Sequence, residues 1–144
     1  MPVSDEQFAT LSAQLAGRFD EHKRLLDELD PIAARTGYSA LVSAAFSIAV
    51  DRRFAKNGDV GRVVEFVSDV RARSEATAQI DPRTAERVIL AVYTDEQIDD
   101  IDPRTSFETQ LVLLAALIAD AGYDTPALDE FLAEARQVAD QWLS

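Results

Sequence analysis

The side chains able to do chemistry in this chain are almost all carboxylates. Asp95-Glu96 and Asp99-Asp100-Ile101-Asp102 concentrate acid in one short stretch. Such a group attracts cations or a basic partner through Coulomb forces that act over about 8 to 10 Å at moderate ionic strength. The stretch holds no Asp-x-[Asp/Asn]-x-[Asp/Asn]-Gly calcium loop, and part of its acid has a second use in capping helices. Asp95, Glu96, Asp99 and Asp100 are therefore read as a candidate interaction surface rather than a metal site.

Two further acidic pairs stand four residues apart, Glu65 with Asp69 and Glu130 with Glu134. That spacing puts both carboxylates on successive turns of a helix, where they could hold a divalent cation if they faced inward. On a helical wheel each pair falls opposite the apolar stripe, which makes it a solvated face. Asp51 and Asp120 break a local rule instead: each sits near the C-terminal end of a very apolar stretch, where the helix dipole disfavours negative charge. Arg52 and Arg53 follow Asp51, whereas no cation stands within a helical turn of Asp120. These two acids define an alternative core site for a small ligand or a metal.

His22 is the only imidazole and the chain has no Cys. Thiolate metal sites, cysteine nucleophiles, disulfides and multi-histidine metal centres are therefore excluded. No Glu-x-x-His motif, phosphate-binding glycine loop or supportable Ser-His-Asp arrangement occurs. The sequence thus assigns no catalytic residue, no cofactor and no metal, and His22 is expected mostly buried on a helix face. Glu96-x-x-Asp99 resembles an acidic pair of the all-helical nucleotide pyrophosphatases, but no Glu-x-x-Glu stands elsewhere to complete it. Leu113 to Glu134 resembles an acidic hairpin module of the tellurite-resistance type, yet Ala121-Gly122-Tyr123 occupies the place of its Asp-Gly turn. Neither resemblance carries a function across.

The elements that must position these acids are announced by proline. Asp30-Pro31, Asp81-Pro82, Asp102-Pro103 and Thr125-Pro126 each pair a capping side chain with a residue suited to the first helical turn. Helix starts are expected near Ser4, Ser39, Asp59, Asp81, Asp102 and Thr125. The first helix should run from Ser4 to about Asp30 through Gly17, with Phe8, Leu11, Leu15, Phe19, His22, Leu26 and Leu29 on its inner face. Asp30-Pro31 should open a short turn ending at a left-handed Gly37. A buried helix follows to about Lys56, and Asn57-Gly58 stops it. The next helix should turn Val60, Val63, Val64, Val67 and Val70 inward, and Thr94 with Gln97 should start a short acidic turn. Phe46, Ile48, Leu114, Leu117 and Ile118 are expected in the core, with Trp142 docking the last helix. The fold class is all-α, a single-domain globular bundle over residues 1–144 of six or seven helices with two very apolar central ones. Glu65 to Arg71 echoes Glu130 to Arg136, and Ile80 to Thr84 recurs as Ile101 to Thr105. The two offsets differ, so one duplication cannot generate both.

A chain of 144 residues with 47% hydrophobic content is long enough for a core without disulfides or metal staples. Its net charge of −12 repels phosphate backbones and anionic headgroups, so nucleic acid and membrane are not expected partners. The N-terminus lacks a signal-peptide pattern, and zero Cys fits a reducing compartment, which gives a cytoplasmic location. Arg in excess over Lys, with abundant Ala, fits GC-rich bacterial coding. Together these features point to a non-enzymatic interaction module of accessory, regulatory or immunity type that engages a basic protein partner. The alternatives are the small-ligand or metal-binding core and a homo-oligomeric structural domain.

Overall fold

The computed structural model describes residues 2–30, 34–54 and 59–144, and it is all-helical, with no strand among them. Among the described residues there are seven α-helices, α1 (Asp5–Leu15), α2 (Phe19–Glu28), α3 (Ser39–Phe54), α4 (Val60–Arg71), α5 (Pro82–Tyr93), α6 (Pro103–Ala121) and α7 (Thr125–Leu143). A π-helical turn spans Ala34–Tyr38 and a 3-10 turn spans Thr77–Gln79. Among the described residues no helix is long and apolar enough to cross a membrane.

Side-chain caps set most of the helix starts. Ser4 accepts from the Gln7 amide while Gln7 reaches back to the Ser4 amide, a reciprocal capping box. Asp59, Asp81 and Asp102 accept from the amides of Arg62, Thr84 and Thr105. The hydrogen bonds from Thr84 hold the Asp81 carboxyl below the ordinary carboxylate range. The last helix departs from expectation by one residue: Asp124, not Thr125, caps it by accepting from Ala127. A carboxylate is the stronger acceptor, and Pro126 then falls in the second helical position.

The expected first helix is two helices. Gly17 has φ +80°, its amide donates to Gln14 and the Arg18 amide to Ala13, so α1 ends in a Schellman motif. α2 has no buried residue, and Phe19 and Leu26, expected inside, are 69% and 44% exposed. His22 is half-buried rather than mostly buried, and its Nδ1 lies 2.7 Å from the Thr10 carbonyl oxygen, which ties α2 to α1. Gly37 does not stop a helix in the left-handed region either. It lies within the π-helical turn against the Gln7 side chain, where any β-carbon would collide. The expected breaks at Pro31 and at Asn57-Gly58 lie outside the described residues.

The chain divides into two compact units, Met1–Ala45 with Ile118–Ser144, and Phe46–Leu117. In the first, the Val3 amide donates to Asp140 at 2.7 Å, and Arg136 donates to the Val3 carbonyl at 2.9 Å and to Asp5 at 2.8 Å. The same guanidinium lies 5.1 Å from the Phe8 ring centre, so α7 pins the start of the chain. Leu11, Leu132 and Phe131 are fully buried there. Trp142, expected to dock, is 54% exposed; Ala135 and Ala139 line the buried side of α7 instead.

In the second unit Phe54 packs edge-on to Phe66, with ring centres 5.7 Å apart, and stacks on Tyr93 at 6.5 Å. Phe66 replaces Val60 and Val64 on the buried face of α4, and those two valines are exposed. An aromatic ring buries more apolar area than valine does, so the helix is rotated to bring Phe66 inward. Phe46, Leu114 and Leu117 are buried as expected, as is Ile118 of the first unit, while Ile48 is only half-buried. Arg71 donates to the Ile80 carbonyl at 2.9 Å and fixes the connection into α5.

No atom lies within 4 Å of a β-carbon built at Gly17, so the backbone alone decides the effect of a side chain there. Gly17→Ala should destabilise the protein by about 1 kcal/mol, because alanine resists a positive φ. Gly17→Asn should cost less. Equal thermal midpoints for all three proteins would show that the α1–α2 break does not depend on the left-handed residue.

Candidate functional site

The acidic stretch between α5 and α6 forms no helix; within it the Ile101 amide donates to the Ile98 carbonyl at 3.0 Å and closes a short turn just before Asp102. Thr94 ends α5 by donating its hydroxyl to the Leu90 carbonyl, and that hydroxyl accepts from the Glu96 amide at 3.2 Å. An irregular segment rich in like charge would open without a counter-charge, and Arg87 of α5 supplies it. Its Nε donates to Glu96 at 3.1 Å; Nη1 and Nη2 donate to the two oxygens of Asp100 at 2.9 and 2.7 Å. Nη2 also donates to the Gln97 carbonyl. The planar guanidinium matches the carboxylate in a bidentate fork, a geometry that lysine cannot reproduce.

This clamp sorts the four acids read as an interaction surface. Glu96 and Asp100 are gathered on Arg87. Asp95 and Asp99 are exposed and form no ion pair among the described residues, so their charge faces solvent. Asp102 is used as the cap of α6. The Arg87 hydrogen bonds hold the Asp100 carboxyl down to about 2, and Asp100 and Glu96 in turn raise the Arg87 guanidinium above its already high value. Arg87 itself has no place in the sequence reading. It stands nine residues from Glu96 and thirteen from Asp100 on a different element, beyond any local spacing rule.

Asp51 and Asp120 are both exposed, and they belong to different units. Neither is a buried carboxylate of the kind a core site needs. Among the described residues no group of three or more His, Cys, Asp or Glu side chains could hold a metal ion. Glu130 and Glu134 are exposed on α7, as the helical wheel implies. Glu65 and Asp69 are exposed too, but they line a cleft of about 180 Å³ with Arg53, Phe54, Arg62 and Phe66. Arg53 lies with its guanidinium 5.2 Å from the Phe66 ring centre.

The clamp makes a titration prediction. A carboxyl whose folded pKa is lowered stabilises the fold fully above its ordinary pKa, and that contribution is lost as pH falls through the folded value. The Asp100 carboxyl should therefore titrate in an NMR experiment with a midpoint near about 2, and in Arg87→Ala it should move up toward about 3.9. A midpoint unchanged by the substitution would show that Arg87 does not hold Asp100 in solution.

No protein-family model matches this chain, and neither a curated protein nor a solved structure shows significant similarity to it.

Proposed function

We propose that this protein is a non-enzymatic interaction module, accessory, regulatory or immunity-like in role, that engages a basic protein partner through residues 95–100. One observation carries the reading: Asp95 and Asp99 face solvent without an ion-pair partner among the described residues, on a segment that Arg87 holds in place. A fixed pair of charges loses less conformational entropy on binding than a loose one, so ordering by Arg87 favours association. The net charge of −12 adds long-range steering toward a cationic surface and away from nucleic acid and anionic lipid. The absence of Cys supports a cytoplasmic setting. The exposed Phe19, Leu26 and Trp142 favour homo-oligomerisation as the second reading.

The test is capture of partners by the immobilised chain, followed by association kinetics of the captured protein with wild type and with the Asp95→Asn/Asp99→Asn double variant. Association should slow by about tenfold in the variant and fall with added salt, while dissociation changes little, as expected for steering by exposed charge. The variant's thermal midpoint should match that of wild type. Binding indifferent both to salt and to the double substitution would overturn the proposal.

A further inference from the structure

α2 is held more lightly than the other helices whose burial is described. α1, α4, α5 and α7 each bury three or more residues, whereas α2 buries none. Its Phe19 and Leu26 stand in water, and Leu25 is only half-buried. The ion pairs Arg18–Glu21 and Arg24–Glu28 lie within its own turns, so they do not fasten it to another element. α2 packs on α1. Among the described residues the one side-chain hydrogen bond that leaves α2 joins His22 Nδ1 to the Thr10 carbonyl oxygen at 2.7 Å. A carbonyl oxygen only accepts, so Nδ1 carries the proton and donates. The entry to α2 is loose as well: Arg18 supplies no side-chain cap, and the left-handed Gly17 before it has no atom within 4 Å of a β-carbon position. α1 is the opposite case, with a capping box at its start and with Leu11 and Ala13 fully buried.

We propose that α2 is a hinged strap, which undocks from α1 as one unit at Gly17 and is latched by the His22–Thr10 hydrogen bond. A helix that buries no residue has little apolar contact to lose on leaving, and such elements open at a small fraction of the free energy of global unfolding. Undocking frees the Thr10 carbonyl and brings the half-buried His22 and Leu25 into water beside Phe19 and Leu26. The open form therefore presents an apolar helix that the closed form shows only in part. α2 belongs to the first compact unit and residues 95–100 to the second, so failure of the strap would leave the interaction reading untouched.

The test is native-state amide hydrogen exchange of the full chain, under conditions where exchange reports the opening equilibrium. The amides of His22 to Glu28 should share one protection factor, at least about a hundredfold below those of Leu11 and Ala13. Small amounts of urea should hardly change it, because local opening exposes little surface. The latch is tested with His22→Phe, which keeps a ring and removes the donor, and His22→Asn, whose amide N–H stands where Nδ1 did; His, Phe and Asn have similar helix propensities. His22→Phe should speed exchange across α2 by about fivefold, the worth of one ordinary hydrogen bond, and leave Leu11 and Ala13 unchanged. His22→Asn should keep wild-type rates. Exchange in α2 as slow as at Leu11, or protection graded inward from the helix ends, overturns the strap. Equal rates in wild type and His22→Phe, or His22→Asn exchanging as fast as His22→Phe, overturn the latch and with it the proposal.

Discussion

The acidic segment between α5 and α6 depends on one cation. Residues 94–102 carry five acids and no base, have no regular structure, and close on themselves only through local bonds such as that from the Ile101 amide to the Ile98 carbonyl. Arg87 supplies what the segment lacks: one guanidinium meets Glu96, both oxygens of Asp100 and the Gln97 carbonyl. Exposed ion pairs taken singly contribute little to stability. Here several donors of one rigid group act together, and Arg87 is itself only 23% exposed, so the clamp's consequence is the shape of the segment more than the stability of the whole chain. The charge left over, on Asp95 and Asp99, is displayed from a fixed frame.

The same logic of a single side chain closing main-chain gaps recurs elsewhere. Arg71 and Arg136 occupy the same place in the two echoed segments, and each donates to main-chain carbonyls, of Ile80 and of Val3. Phe66 and Phe131, Val67 and Leu132, and Val70 and Ala135 are buried in matching positions of those segments. The echo therefore corresponds to a shared structural role, in which three apolar residues turn inward and an arginine reaches beyond its own helix. The Ile-Asp-Pro-Arg-Thr repeat has a simpler cause, since Asp81 and Asp102 both cap helices and the prolines both follow in the first turn.

Cap chemistry was legible in the sequence because it is local. Ser4, Asp59, Asp81 and Asp102 accept from amides three residues further along, so their roles follow from spacing. At Thr125 two capping side chains were adjacent, and the neighbouring Asp124 took the role. Gly17 was visible as a weak point, but whether a helix runs through a glycine or stops at it depends on tertiary packing, and here the chain stops. Burial was less legible. Val60 and Val64 fit an apolar stripe as well as Phe66 does, and only the Phe54 and Tyr93 rings decide which face turns inward. For the candidate site, the acids were plain in the sequence and their counter-ion was not, because Arg87 acts across a turn in the chain. The cleft beside α4 was half legible: the Glu65 and Asp69 spacing was apparent, whereas Arg53 joins them only through the fold.

The central claim, that Arg87 orders the acidic segment, is tested most directly by amide hydrogen exchange in wild type and Arg87→Gln. The account predicts that the amides of Glu96 and Ile101 exchange markedly faster in the variant, while those in the middle of α5 and α6 keep their wild-type protection. Unchanged protection at Glu96 and Ile101 would contradict it, because the segment would then hold its shape without the clamp.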